Sequence, residues 1–433
     1  MRKLLIGFVV ILLLAAAVTL VVGYQATIYL MPTPAVISAG DRNPFDINPA
    51  KEKSNEVQIL FATNRLPAGE TEDRIYTIFP GNKLRIGKAH LRIGEEGSTW
   101  EKLFNLSTSV ENENRPPLRL ERIHELAQYP LNGSDDTQPA SNRALADSVN
   151  SALERSIDKD ITIYVHGANT GIYRACAQAA QYHHFTGQNS VVMVFLWPSA
   201  ENLLGYGTDT RHALKSAPAF ARLITLLAEH TEARNFNVLA YSAGAQIVSP
   251  ALDIIGRNTE KEMRKQFRLG EVYFAAADIG VDTFIEHLES YIDIPRSTTL
   301  AMNLNDSVLA LAARRTRVSR AGSPNAEDLT PEKYEWIQNA SLETGLSIIK
   351  VSAETVSGMS ARSHDFWFSH PWVSSDVLTL FLFNRPPGER GLVEAVHDDG
   401  QRYWVFPPDY PEQITSVVED AADANRMKNH QQE

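Results

Sequence analysis

The chain has 433 residues, 43% hydrophobic and 21% charged, a balance that supplies a large packed core and excludes bulk disorder. Its formal net charge of -11 excludes a nucleic-acid partner, because binding to a phosphate backbone needs a basic field. The single cysteine, Cys176, excludes an intrachain disulfide and a cysteine-based zinc cluster. The densest basic run, Arg314, Arg315, Arg317 and Arg320, is interpreted as a solvated helix face.

The first residues predict a membrane anchor. Arg2 and Lys3 precede an uncharged run of 21 residues from Leu4 to Tyr24. At about 1.5 Å per residue, a helix of this length crosses about 30 Å of hydrocarbon. The preceding basic residues predict that the N-terminus stays cytoplasmic and that the remainder is exported. We therefore expect a cell-envelope protein anchored in the inner membrane, with a periplasmic or extracellular domain. Secretion after cleavage of a signal peptide is the alternative.

Residues 25–55 are predicted to be a proline-containing linker between this segment and the first strand-like run, VQILFATNR, at 57–65. Residues 56–150 are interpreted as an N-terminal extension of the main domain. Residues 385–433 turn polar and are predicted to form a C-terminal extension, with a hairpin near 398–400 and a disordered tail.

Residues 151–384 show short apolar runs that alternate with helix-length amphipathic pieces. The strand-like runs are 161–167, 190–198, 235–242, 271–278, 298–306 and 346–353. Helices are predicted near 172–183, near 211–230 and from about 244. Continuous rather than alternating apolar strands, separated by helices, predict an α/β fold with a mostly parallel sheet covered on both faces.

The stretch NVLAYSAGAQIV (237–248) carries the candidate nucleophile, Ser242. The serine follows a predicted strand and precedes a predicted helix, which is the context of a nucleophile elbow. The usual pattern is Gly-x-Ser-x-Gly, and here the flanking small residues are Ala240 and Gly244. The helix start supplies backbone N–H groups for a developing oxyanion. The alternative is a turn of small residues that serves only close packing of the helix on the sheet.

YVHGANTG (164–171) ends an earlier strand of the series. Hydrolases with such an elbow build half of the oxyanion hole from a loop at this place. We predict Gly167 and Ala168 for that half, and Ala243, the residue after the nucleophile, for the other. His166 is interpreted as a structural residue that orients the loop.

A serine nucleophile needs a histidine base, which an acid must orient. The expected chain order is serine, acid, histidine. His364 lies in the loop after the last predicted strand, and His370 is the second choice. Asp306 ends the strand before that histidine's strand and is the preferred acid. Asp278 ends the strand after the nucleophile's and is the alternative; either aspartate would also suit a helix cap.

The series of motifs resembles a bacterial family of α/β-hydrolase-fold proteins, described as esterase/lipase-like and largely uncharacterised. The matching stretches are LFATNR (60–65), VHGANTG (165–171), VFLWPS (194–199), YGTD (206–209), LAYSAGAQIVSPAL (239–252), AAADIGVDTF (275–284), NLNDSVLAL (303–311) and SHDFWF (363–368). Family members commonly have His-Ser-Met-Gly where this chain has Tyr241-Ser242-Ala243-Gly244.

The resemblance implies an α/β-hydrolase fold and a serine hydrolase with Ser242, Asp306 and His364 as its triad. Trp197, Tyr206 and Asp209 are then interpreted as walls of a substrate pocket, or as supports of the oxyanion loop. Tyr241 is assigned to the same substrate pocket. We expect hydrolysis of a small-molecule or lipid ester through an acyl-serine intermediate, with no metal or organic cofactor. The competing hypothesis is a non-catalytic envelope scaffold or binding protein that kept this fold.

Overall fold

The computed structural model describes residues 27–38, 45, 53–70, 74–109, 114–131, 138–397 and 400–416. The predicted anchor at 4–24 and the predicted tail beyond 416 lie outside these ranges. Within them, no helix is long and apolar enough to cross a bilayer.

One mixed sheet organises this part of the chain. Its eleven strands within the described ranges are β1 (Glu56–Ala68), β2 (Ile75–Ile93), β3 (Leu118–Pro130), β4 (Ile161–Val165), β5 (Val191–Phe195), β6 (Phe236–Tyr241), β7 (Leu269–Ala275), β8 (Ser297–Met302), β9 (Leu346–Lys350), β10 (Val393–Val396) and β11 (Arg402–Val405). Their order across the sheet is β10-β11-β9-β8-β7-β6-β4-β5-β1-β2-β3. Neighbours from β11 to β1 pair in parallel, and antiparallel pairs complete both ends. The mostly parallel sheet predicted from the sequence is therefore confirmed.

Helices connect the parallel strands and cover the sheet. In chain order they are α1 (Ala35–Ser38), α2 (Trp100–Thr108), α3 (Pro139–Glu154), α4 (Ile172–Phe185), α5 (Tyr206–His230), α6 (Ala245–Arg257), α7 (Val281–Tyr291), α8 (Ser307–Thr316), α9 (Pro331–Glu343), α10 (Phe366–Ser369) and α11 (Pro371–Phe383). Every residue of β4, β5 and β7 is buried, because two apolar clusters pack on the two faces of the sheet. This double burial explains why these strands read as continuous apolar runs.

The two extensions join the same sheet. β1 pairs in parallel with β5 and brings β2 and β3 with it. At the other end, β10 and β11 form the predicted hairpin, which reaches the sheet through β9. The described part of the predicted linker is not a free spacer, because Leu30, Met31 and Ile37 are buried against the domain. Their apolar side chains stabilise this packing.

The parallel strands end before the candidate site residues. β4 stops at Val165, and β8 stops at Met302, so the residues that follow them form loops at the carboxyl edge of the sheet. In an α/β sheet this edge is where ligands bind. The solvated helix face predicted for the arginine run is confirmed for Arg314 and Arg315, which are exposed on α8. It is wrong for Arg320, because α8 ends at Thr316 and Arg320 is only 6% exposed.

Candidate active site

Ser242 occupies a sharp turn between β6 and α6. Its φ is 52°, in the left-handed region that non-glycine residues enter at a cost of about 1–3 kcal/mol. A Cβ on Gly244 would lie 2.4 Å from the carbonyl oxygen of Val165, so glycine is needed where the turn meets β4. Ala240, which is fully buried, fits the same crowded turn. The backbone thus has the strand–serine–helix geometry of an elbow.

His364 lies within hydrogen-bonding distance of the serine. Its Nε2 is 2.8 Å from Ser242 Oγ, and its Nδ1 is 2.6 Å from Asp306 Oδ2. A carboxylate can only accept, so Nδ1 carries a proton and donates it to Asp306. Nε2 is then the acceptor that faces the serine hydroxyl. The three side chains form one hydrogen-bonded chain.

Asp306 has two structural roles. Its Oδ2 accepts from His364, while its Oδ1 accepts from the backbone N–H groups of Val308 at 2.8 Å and Leu309 at 3.0 Å. The carboxylate therefore caps α8 and orients the imidazole at the same time. It is fully buried, whereas the side chain of His364 keeps 14% exposure. The base can reach substrate, and the acid cannot.

The loop that carries His364 is held by Asn303, a residue for which the sequence motifs predicted no role. The Nδ2 of Asn303 donates to the carbonyl oxygens of Ser363 at 2.8 Å and Ala361 at 3.2 Å. Asn303 is fully buried at the end of β8. Its position in NLND (303–306), three residues before the candidate acid, was the available signal, but the partner loop lies about 60 residues away in sequence.

The loop after β4 lies against the serine. A Cβ on Gly167 would be 3.1 Å from Ser242 Cβ, so glycine lets the loop approach the serine without displacing it. Next in the loop, Asn169 has a φ of 53° and donates its backbone N–H to Asp209 Oδ2 at 2.9 Å. Ala168, between them, is part-exposed. Gly167 thus lies against the turn Ser242–Gly244, which contains Ala243 and precedes α6.

Two buried charges brace this loop from behind. Asp209 also accepts from Ser199 Oγ at 2.9 Å and from the N–H of Ala200 at 2.6 Å, and burial raises its pKa. Arg65, fully buried, donates to the carbonyl oxygens of Trp197 at 2.9 Å and Thr170 at 3.3 Å. Burial lowers the pKa of Arg65 to about 10. Arg65 belongs to the motif LFATNR, but Trp197 and Thr170 lie more than 100 residues away in sequence and could not be predicted from that motif.

His166 and Trp197 form the floor under the loop. The two rings stack with centroids 5.1 Å apart, and Trp197 Nε1 donates to the carbonyl oxygen of His166 at 2.8 Å. Both side chains are fully buried. Burial, followed by the charge of Arg65, lowers the pKa of His166 to about 3, so the imidazole is neutral. Trp197 therefore supports the loop and does not line a pocket.

The alternative catalytic residues lie elsewhere. His370 caps α11: its Nδ1 accepts from the N–H of Trp372 at 3.2 Å, and its Nε2 lies 2.9 Å from the carbonyl oxygen of Ser357. Asp278 forms an ion pair with Arg320 at 2.7 Å and accepts from Tyr206 Oη at 2.8 Å. Neither of them contacts the Ser242–His364 pair through its side chain.

Tyr206 and Tyr241 flank the site on different sides. Tyr206 contacts Asp278, and burial together with that carboxylate raises its pKa to about 12. The ring of Tyr241 lies 5.3 Å from the His364 ring and 5.9 Å from the Phe368 ring. Burial raises the pKa of Tyr241. Tyr241 thus provides an aromatic surface beside the imidazole, whereas Tyr206 belongs to the network around Asp278.

The comparisons with known proteins agree with this fold. Residues 141–379, more than half of the chain, match the model of a family described as an α/β hydrolase of unknown function, DUF900. No curated protein matches the chain significantly. The matched region runs from α3 to α11 and includes Ser242, Asp306 and His364. The chain belongs to the DUF900 family of α/β hydrolases.

Proposed function

We propose that the protein is a serine hydrolase that cleaves carboxylic esters through an acyl-enzyme. The single observation that carries the proposal is the hydrogen-bonded chain from Asp306 through His364 to Ser242, with the serine at a turn of positive φ. The non-catalytic alternative would be favoured by a histidine far from the serine, and the 2.8 Å separation does not favour it.

In the first half of the reaction, Ser242 Oγ attacks the carbonyl carbon of the ester. His364 Nε2 accepts the hydroxyl proton, and Asp306 stabilises the imidazolium that forms. The negative charge moves to the carbonyl oxygen. When the tetrahedral intermediate collapses, the C–O bond to the alcohol breaks, and His364 returns the proton to the leaving oxygen.

The backbone N–H groups of Ala168 and Ala243 are the proposed donors to the oxyanion. Asn169 and Thr170, the next residues of the loop, already donate their N–H groups to Asp209 and Ser199. Asp209 and Arg65 therefore hold the loop in place before substrate arrives. Such preorganisation stabilises the developing charge without rearrangement.

In the second half, water attacks the acyl carbon while His364 Nε2 takes a proton from it. The bond between the acyl carbon and Ser242 Oγ then breaks, His364 returns the proton to Oγ, and the carboxylic acid leaves. We place this chemistry in the cell envelope, with the uncharged segment at 4–24 as the anchor, because Arg2 and Lys3 precede it.

The test is the turnover of p-nitrophenyl butyrate by the full chain and two serine variants. Ser242→Ala should lower kcat by about 10⁴-fold or more. Ser249→Ala is the matched control, because Ser249 Oγ also contacts a histidine, His287, at 3.1 Å, but lies within α6 and away from the turn. Equal turnover by wild type and Ser242→Ala would contradict the proposal.

A further inference from the structure

The first described residues lead toward the candidate active site. The N–H of Met31 donates to Gln181 Oε1, and the N–H of Ile28 donates to Tyr173 Oη at 3.0 Å. Gln181 lies about two turns further along α4 than Tyr173. From Met31 back to Ile28, the chain therefore runs along α4 toward the N-terminal end of that helix. This end of α4 follows the Gly167–Ala168 loop at the carboxyl edge of the sheet.

This path ends beside the aromatic residues of the site. Thr27, Arg174 and Phe368 line one surface pocket, and the Phe368 ring contacts that of Tyr241. The uncharged run ends at Tyr24, three residues before Thr27, and three residues span at most about 10 Å. An anchor at 4–24 would thus meet the domain at the active-site edge.

A second apolar feature lies on the other side of the same edge. α8 exposes Val308 (46%) and Leu311 (60%), whose spacing of three residues places them on one helix face. The turn before α8 exposes a third apolar side chain, Leu304 (48%). Both ends of this segment are fixed at the carboxyl edge, since Asp306 contacts His364 before the helix and Arg320 contacts Asp278 after it. This apolar face therefore borders the site.

The charges at this edge are mostly positive. No acidic residue occurs from 307 to 326, although the whole chain carries a net charge of -11. The exposed acids at this edge are Glu201, Glu354 and Asp365. Exposed arginines around the same edge are Arg174, Arg314, Arg315, Arg317 and Arg362. Apolar side chains next to arginines fit an interface between acyl chains and anionic headgroups.

We infer that the carboxyl edge of the sheet docks on an anionic phospholipid bilayer and that Ser242 cleaves acyl esters of lipids drawn from that bilayer. The docking surface consists of Leu304, Val308 and Leu311 with the neighbouring arginines. The choice of substrate rests on the proposed ester hydrolysis; the docking does not. Tyr29, 57% exposed beside the entering chain, fits the headgroup level, where tyrosine is enriched.

Docking is tested with the full chain reconstituted into vesicles of phosphatidylglycerol and phosphatidylethanolamine. A cysteine replaces Leu311 and carries an NBD fluorophore; the native Cys176 is fully buried. The matched control is Ile157→Cys, because Ile157 is 52% exposed but precedes β4, at the opposite edge of the sheet. Spin-labelled lipid should quench the label at 311 and not the label at 157. Equal quenching at both positions, or none at 311, would overturn the docking.

Substrate choice is tested with Leu311→Asp in the same vesicles. We expect phosphatidylglycerol hydrolysis to fall by about tenfold or more, with p-nitrophenyl butyrate turnover within about twofold of wild type. Ile157→Asp should change neither. Unchanged lipid hydrolysis in Leu311→Asp would overturn the inference. Quenching at position 311 without any turnover of the soluble ester would contradict the proposed hydrolase function and support docking alone.

Discussion

Asp306 shows how one side chain can satisfy two readings of a sequence. An aspartate after a strand suits a helix cap and equally suits the acid of a triad, and here one oxygen serves each partner. Both partners contact the same buried carboxyl group. The two roles can therefore be separated only by a substitution that keeps one of them.

Asp306→Asn is that substitution. Asparagine caps helices about as well as aspartate, so we expect a melting temperature near that of wild type. The asparagine amide can also donate a hydrogen bond to Nδ1, so it does not keep the proton of His364 on Nδ1 and leave Nε2 free to accept from Ser242. We therefore expect kcat to fall by about 10⁴-fold. Asp306→Ala should lose the rate and, in addition, about 1 kcal/mol of cap stability. Ester kinetics and thermal unfolding measure the two effects; an Asp306→Asn enzyme with wild-type kcat would contradict the assigned role.

At the scale of elements, the strands and the chain order of the candidate residues could be predicted from the sequence. The β-branched apolar runs predicted β4 to β9, and a serine between small residues after a strand predicted the turn. That Ser242, Asp306 and His364 act in catalysis stays a prediction. Support of the oxyanion loop was one of the two roles predicted for Asp209. The bracing by Arg65 and Asn303 could not be predicted, because each contacts backbone groups that only the folded chain brings near.

The turn between β6 and α6 also sets a packing limit. Gly244→Ala would place a methyl group 2.4 Å from the backbone oxygen of Val165 in β4. Because this strand is paired within the sheet, its backbone cannot move away as a flexible side chain could. We expect a loss of about 1–3 kcal/mol in the free energy of unfolding and a lower kcat. In Gly207→Ala, the control in the first turn of α5, the added methyl has no neighbour within 4 Å. Urea unfolding should show little change or a gain of about 0.5 kcal/mol there; equal losses in both variants would argue against the clash.

At the scale of the whole molecule, burial decides the pH dependence of stability. His184 on α4 is fully buried and pairs with Ser107 Oγ at 2.7 Å, which joins α4 to α2. Burial lowers the pKa of His184 to about 3. Between this value and the usual value near 6.5, the unfolded chain binds a proton that the folded chain does not. The contribution of His184 to stability is therefore fully present above about pH 6.5 and is lost as the pH falls toward 3.

His184→Gln removes the titratable imidazole and retains a side chain that can form a hydrogen bond with Ser107. Relative to the variant, wild type should lose about 1.4 kcal/mol of unfolding free energy per pH unit between about pH 6 and 4. Asp158, whose pKa burial raises to about 7, has the opposite effect, but it is common to both proteins and cancels. Urea unfolding at pH 7, 6, 5 and 4 gives the difference in unfolding free energy between wild type and variant. If this difference did not change with pH, His184 would bind a proton equally in the folded and unfolded chains, which would contradict the prediction.

At this scale, the packing of residues 27–38 against the domain differs most from what the sequence predicted. Prolines and mixed polar residues indicated a linker, yet Leu30 and Met31 are buried. Short apolar stretches in such a segment give no periodic signal, so their burial depends on a groove that distant elements build. The path of these residues toward Phe368 is what relates the predicted anchor to the candidate site.

The central claim is that Ser242 is the nucleophile, and covalent labelling tests it most directly. The full chain is treated with a fluorophosphonate, digested and analysed by peptide mass spectrometry. We predict one phosphonyl group per chain on Ser242, and loss of labelling in His364→Gln, because the hydroxyl needs the imidazole as its base. An unlabelled chain, or a label on a different serine such as Ser363, would contradict the account.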